Sequence, residues 1–213
     1  VCGVAGQTGH RDKIQMWRRQ CIQHPVLPAA AGYRAAAHCF LWSSSDRVVV
    51  LSGAKYSIKA VVLMHFRFDG LLGFYGGLSE KGESPPAAVT REMREEANLD
   101  TNKFTVNEAD HLLSHVSHDG KLLTHFYALE VSSAEMDHIE QNASASEHYG
   151  EEIFGVVRVP LFTMSDGVKG FPIFLSQHFS GSSKSQLTYA LARLGILDVE
   201  YIKRSLETSK QYK

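Results

Sequence analysis

The chain has 213 residues, 44% of them hydrophobic and 21% charged, which suits one globular domain and excludes collagen-like, disordered and coiled-coil readings. Lys and Arg number 22 against 23 Asp and Glu, a formal charge of −1. No global field therefore draws in nucleic acid or an anionic membrane, and any polyanion must be met by a local basic patch. The 11 histidines make such a patch sensitive to pH near neutrality. Cys2, Cys21 and Cys39 are an odd number without CxxC spacing, so neither a disulfide framework nor a zinc site is expected, and a reducing compartment is favoured. The longest apolar runs, such as Val48 to Leu51 and Ala60 to Met64, are strand-sized and fall well short of the roughly 18 residues of a membrane span. The first residues lack the pattern of a signal peptide. The chain begins without methionine, and Met16 is a candidate start. Residues 1–28 are expected to form a poorly ordered extension ahead of a single domain over 29–213.

In chain order, Tyr33 to Trp42 reads as a helical turn or a first strand, and Arg47 to Leu51 as a short strand. Ile58 to Phe68 is a longer β candidate, since Val61, Val62, Leu63, Phe66 and Phe68 suit a pleated, buried surface. A glycine-rich turn, Asp69 to Gly77, follows. Ser84-Pro85-Pro86 is a helix start, with Ser as N-cap and proline in the first turn. That helix should run to about Ala97 and stop at Asn98, which accepts the left-handed conformation. Phe104 to Val116 and Lys121 to Val131 flank Ser117-His118-Asp119-Gly120, a hairpin signal. Ser133 to Gln141 reads as a short helix, Glu152 to Leu161 as a strand ended or edged by Pro160. Phe171 to Phe179 and Ser182 to Leu194 read as helices, with a last turn or two over Val199 to Leu206. Strands and helices interleave without regular βαβ alternation. That predicts an α+β fold with a mixed sheet sandwiched between helices, not a doubly wound one.

The chemistry is concentrated in Gly77 to Leu99. At 100° per residue, Glu92 and Glu96 share a helix face with Glu95 beside them, and Val89, Met93 and Ala97 form the adjacent apolar stripe. Three carboxylates converging at the rim of a buried face repel one another unless a cation sits between them. Hard oxygen ligands in that number suit Mg²⁺ or Mn²⁺, which in turn grip phosphate oxygens. Arg91 is placed to pair with Glu83 and hold the loop to the helix. A solvated helix with an Arg91/Glu95 pair is the plainer alternative for a bare Arg-Glu-x-x-Glu-Glu. The glycine loop and Glu83 argue against it.

These residues match G-x5-E-x7-R-E-U-x-E-E-x-G-U, with U aliphatic, except that Asn98 stands for the last glycine. The segment thus resembles the Nudix box. Arg67 to Phe74, Leu113 to Val116, His125 to Ala128, Gly155 to Leu161, Asp166 to Val168, Phe171 to Leu175 and Gln186-Leu187 resemble the U8 snoRNA-decapping Nudix hydrolases. The resemblance covers about residues 31–197. It implies the Nudix fold, hydrolysis of the pyrophosphate linkage in capped RNA, and action on inosine and deoxyinosine di- and triphosphates. It also implies a homodimer in the nucleus, nucleolar and nucleoplasmic, with a cytoplasmic pool beside it. Carried over by position, His38, Arg67, Phe74 and Gln186 are expected to contact substrate, and Gly76 (through its carbonyl), Glu92, Glu96 and His115 to hold metal, with Glu95 beside them. Tyr75 departs from the family's usual proline, and Tyr189 stands where active relatives have a further metal-binding glutamate.

The implied chemistry is metal-assisted hydrolysis, in which the ion neutralises phosphate charge and lowers the pKa of a water. Glu95, Glu152 and His115 are alternative general bases, and Glu92 belongs with the catalytic carboxylates. Capped RNA and purine nucleotides are the expected partners, with no membrane and no DNA. Two rivals are a housekeeping nucleotide diphosphatase without an RNA role and a non-catalytic, syndesmos-like protein-binding relative.

Overall fold

The computed structural model describes residues 34–117 and 120–212. The expectations for residues 1–28, and for Tyr33, Cys2 and Cys21, lie outside them. The strands are β1 (Arg34–Leu51), β2 (Ala54–Arg67), β3 (Leu72–Gly73), β4 (Tyr75–Leu78), β5 (His111–Val116), β6 (Leu122–Glu130) and β7 (Ile153–Arg158). The helices are α1 (Pro85–Ala97), α2 (Ser133–Gln141), α3 (Phe171–Ser176), α4 (Ser183–Arg193) and α5 (Val199–Ser209).

The strands form one sheet in the order β3-β2-β1-β6-β5, with β4 paired to β1 and β7 to β2. The β1–β6 pair is parallel and the other pairs are antiparallel. The sheet is therefore mixed, as the irregular order of elements predicts. Both faces are covered. Phe40, Val62, Met64, Phe74 and Phe126 pack under α3, α4 and α5, while Cys39, Leu41, Leu63 and Tyr75 pack under α1 and α2. Burial on both faces explains why Val61 to Met64 reads as a continuous apolar run without alternation. Each fully buried Val, Leu or Met contributes about 1.5–3 kcal/mol.

Several expected boundaries change. The two first strands are one, bent at a register shift between Ser44 and Arg47. Of Phe104 to Val116 only His111–Val116 is strand, because Asn107 caps a 3-10 turn, Glu108–Asp110, instead. Helix α3 stops at Ser176: Leu72 donates its N–H to the His178 carbonyl and accepts from the Ser180 amide, so 178–180 joins β3. Helix α5 gains a full third turn from its Asp198 cap, whose carboxylate accepts the Glu200 and Tyr201 amides.

Helix α1 is as read. Ser84 accepts from the Ala87 amide, Asn98 takes the left-handed conformation at φ 52°, and its N–H bonds the Met93 carbonyl. Val89, Met93 and Ala97 are fully buried. Anchoring that stripe fixes the rotation of the adjacent Glu92 and Glu96, and so places the site.

Candidate active site

A cleft of about 670 Å³ opens where the end of the sheet meets α1 and α4. Its floor is the β1–β4 pair, with His38 opposite Gly76. The two glycines there are steric requirements. A Cβ on Gly76, at φ 137°, would lie 2.1 Å from the Ala37 carbonyl oxygen. A Cβ on Gly77 would lie 2.4 Å from Glu92 Oε1. The Gly-Gly pair lets β4 press against β1 on one side and admits a carboxylate on the other.

Glu92 lines the cleft. Glu96 lies just behind it, buried, accepting a 2.7 Å hydrogen bond from the Gly76 amide. Burial pushes the Glu96 carboxyl up to about 8, against the opposing pull of the Gly76 amide, while Glu92 and Glu152 add repulsion. Burial also raises Glu92, with Arg91 pulling it back. Glu152 is exposed on the cleft wall, as read for a base candidate. His115 lines the wall too, its imidazole pKa lowered by burial.

Arg91 is the hub of the box. Its guanidinium donates to Glu83 Oε1 at 3.1 Å, Glu92 Oε1 at 3.0 Å, Glu95 Oε2 at 2.9 Å and the Leu78 carbonyl at 3.2 Å. The expected Arg91–Glu83 clasp is present, and so is the plain Arg91/Glu95 pair. Glu95 gives its other oxygen to Arg94 at 2.6 Å and is not on the cleft wall.

Among the described residues no three His, Cys, Asp or Glu side chains stand gathered for a metal ion. The carboxylates are drawn round Arg91 instead. The donor chemistry nevertheless fits a hard divalent cation: two buried carboxylates whose ionisation burial opposes, one of them set against Gly77 on the cleft.

Among the residues read as substrate contacts, His38, Arg67 and Gln186 line the cleft. Burial, then Arg67 and His115, lower the His38 pKa to about 4, so the ring is neutral at physiological pH. Arg67 bonds Asp69 through Nε and Nη2, the latter at 2.9 Å. Gln186 is buried and its Nε2 has no partner among the described residues, which leaves that donor for a ligand. Phe74 is a correction. Its ring is 1% exposed and packs 5.0 Å from Phe126 and 5.9 Å from Phe40, off the cleft. The cause is strand parity: Phe74 points to the α3–α5 face and Tyr75 to the α1 face. Tyr189 is half-buried against the apolar cluster and off the cleft wall.

Thr124, His148 and Ser180 to Ser183 also line the cleft and escaped the sequence reading. The polar loop around Glu152 and the Gly181-Ser182-Ser183 approach to α4 were the available signals.

The site has counterparts. A family described as "Nudt16-like: U8 snoRNA-decapping enzyme-like" matches residues 35–197. The chain belongs to this family of Nudix hydrolases. It is 45% identical over 169 residues to a U8 snoRNA-decapping enzyme of Homalodisca vitripennis, covering 79% of this chain and 87% of that one. Against the enzyme of that name from Xenopus laevis it is 38% identical, covering 84% of each. A human Tudor-interacting repair regulator protein is 32% identical over 199 residues, covering 92% of this chain and 91% of that one. Among solved structures, a MutT/nudix family protein of Enterococcus faecalis superposes with a TM-score of 0.50 at 14% identity, covering 96% of this chain and 80% of that one. The fold is thus the Nudix fold, and this Nudix hydrolase carries its box on α1 and the preceding loop. Nudix hydrolases generally use divalent metal ions.

Proposed function

We propose that this Nudix hydrolase cleaves the pyrophosphate linkage of capped RNA, and of inosine and deoxyinosine di- and triphosphates, with Mg²⁺ or Mn²⁺. One observation carries the reading: Glu92 lines a nucleotide-sized cleft, and the buried Glu96 lies just behind it, tied to Gly76 of the cleft floor. Glu92, Glu96 and the Gly76 carbonyl would hold the ion, with His115 beside them. When bound, it supplies charge neutralisation at the phosphates and a more acidic water.

The chain's own groups do the rest. Arg91 holds the carboxylates in register. Arg67 exchanges Asp69 for a phosphate or a base edge, its planar fork suiting either. His38, a neutral imidazole, and Gln186, through its unpaired amide, take the polar edge of the purine. Glu152, exposed on the wall, serves as general base, since Glu95 is occupied by two arginines. The protein acts as a homodimer in the nucleus and nucleolus, with a cytoplasmic pool.

A second reading, a nucleotide diphosphatase with no RNA role, is favoured by the cleft volume of about 670 Å³, suited to one nucleotide, and by the formal charge of −1. The non-catalytic reading, suggested by the Tudor-interacting relatives, is opposed by the intact Glu92, Glu95 and Glu96. A product assay with inosine diphosphate, ADP-ribose and capped RNA in parallel, with each metal, separates all three. Turnover of inosine diphosphate without cap cleavage selects the second reading, and silence on every substrate selects the non-catalytic one.

A further inference from the structure

His65 is an anomaly in the core. It is fully buried on β2, and neither ring nitrogen has a hydrogen-bond partner among the described residues. Its ring meets Tyr75 edge-on at 5.1 Å, and the Tyr75 hydroxyl is likewise buried without a partner among those residues. A buried polar edge left unpaired costs stability, and an apolar side chain of similar volume would cost less. Apolar packing therefore does not account for a histidine here.

Its surroundings do. His65 pairs across the ladder with Gly73. A Cβ on Gly73 would lie 3.1 Å from His65 Nε2 and 2.8 Å from Arg67 Cδ. The imidazole edge and the arginine stem thus converge on the space that the missing Cβ leaves. Gly73 has no left-handed φ to account for it, so what glycine provides here is room. Arg67 then carries its guanidinium from this point to the cleft wall.

We propose that His65 is a positioning residue for Arg67: it sets the arginine stem over Gly73 so that the guanidinium can leave Asp69 for substrate without losing its aim. Burial, with Arg67 and then His38 adding, pushes the His65 pKa down to about 3. The ring is neutral, offers a lone pair rather than a second positive charge beside the arginine, and stays so across the working pH range. The inference rests on the reading of Arg67 as a substrate contact.

The test is a double-mutant cycle of His65→Leu and Arg67→Ala, read as kcat, KM and thermal midpoint with inosine diphosphate. Positioning predicts that His65→Leu raises KM about tenfold (about 1.4 kcal/mol) with kcat little changed and the midpoint equal or higher. It also predicts that the change disappears in the Arg67→Ala background. Gly73→Ala, which drives a methyl group between the two side chains, should raise KM alike. An unchanged KM, or a full effect in the Arg67→Ala background, overturns the proposal. If His65→Leu fails to fold, His65→Gln decides: a KM near that of wild type supports positioning, and a loss as large as in Gly73→Ala overturns it. A wild-type protein inactive on inosine diphosphate and on capped RNA alike would sink the functional reading instead. Calorimetric binding of inorganic pyrophosphate to the same variants would then judge His65 separately.

Discussion

The amide of Gly76 donates to the Glu96 carboxylate across 2.7 Å, tying β4 to the last turn of α1. In the proposed metal set, the backbone whose carbonyl would face the cation and one of the carboxylates that would hold it are thereby a single unit. Glu96→Gln keeps an oxygen acceptor for that amide but loses the charge. It should leave the fold intact and reduce turnover below about a tenth of wild type, because a lost metal ligand costs several kcal/mol of transition-state stabilisation. Circular dichroism beside steady-state assay checks this. Activity above that level would remove Glu96 from the metal set.

The same carboxyl sets a pH dependence of stability. Its folded pKa, about 8, lies above the ordinary glutamate value of 4.5, so the folded state binds the proton more tightly. The stabilisation is complete below about 4.5 and is lost as pH rises through 8. Without added metal, Glu96→Gln should therefore melt higher than wild type at pH 8 and nearly equal to it at pH 4. Divalent cations should raise the melting temperature of wild type and leave the variant almost unmoved, since a ligand stabilises only the state that binds it.

His38 gives the opposite slope. Its pKa falls from 6.5 to about 4 in the folded state, so the unfolded chain binds the proton more tightly. Stability is lost as pH falls from 6.5 towards 4, and His38→Gln should flatten the denaturation midpoint across that window. A slope unchanged in the variant would show that His38 is not the group responsible.

Arg91 serves Glu83, Glu92, Glu95 and the Leu78 carbonyl at once. Its side chain is 24% exposed, which screens each pair, so Arg91→Met should cost only about 1–3 kcal/mol of stability. Its effect on turnover should be larger, since the glycine loop and the carboxylates lose their common tether. Arg91→Lys, with a point charge in place of a fork, should rescue stability better than activity. Equal losses in both measurements would make Arg91 a stability residue alone.

Phe74→Ala should cost about 3–5 kcal/mol, the range for emptying an aromatic site in a packed core. The remaining folded fraction should lose activity on nucleotides and on inorganic pyrophosphate alike. A KM effect confined to nucleotides would return the ring to the substrate pocket.

How much was legible follows from how local each signal is. The box, its Ser84 and Asn98 caps, the Val89/Met93/Ala97 stripe and the Arg91–Glu83 clasp lie within one helix and its leading loop, where helical periodicity fixes the relative direction of every side chain. The cleft positions of His38, Arg67 and Gln186 were carried by resemblance alone; only the sheet brings β1, β2 and α4 together. His148 joined unannounced, delivered by a loop whose only local mark was polarity.

By itself, then, the sequence determined the carboxylate helix, the hairpin between β5 and β6, the α+β class and the absence of a long apolar span. Tertiary structure decided what strand pairing controls. In Leu72 to Gly77 the short strands β3 and β4 and the glycines give no alternation to read, so the faces of Phe74 and Tyr75 were settled only by pairing with β2 and β1. Residues 178–180 left the helix because Leu72 offered an unfilled ladder edge. His65 carries no mark of its own in the sequence of β2; its setting exists only once Gly73 and Arg67 stand beside it. Side-chain direction along a helix is a local property of the chain. Which strand lies alongside, and what it leaves unpaired, belongs to contacts between residues far apart in sequence, and those exist only in the folded state.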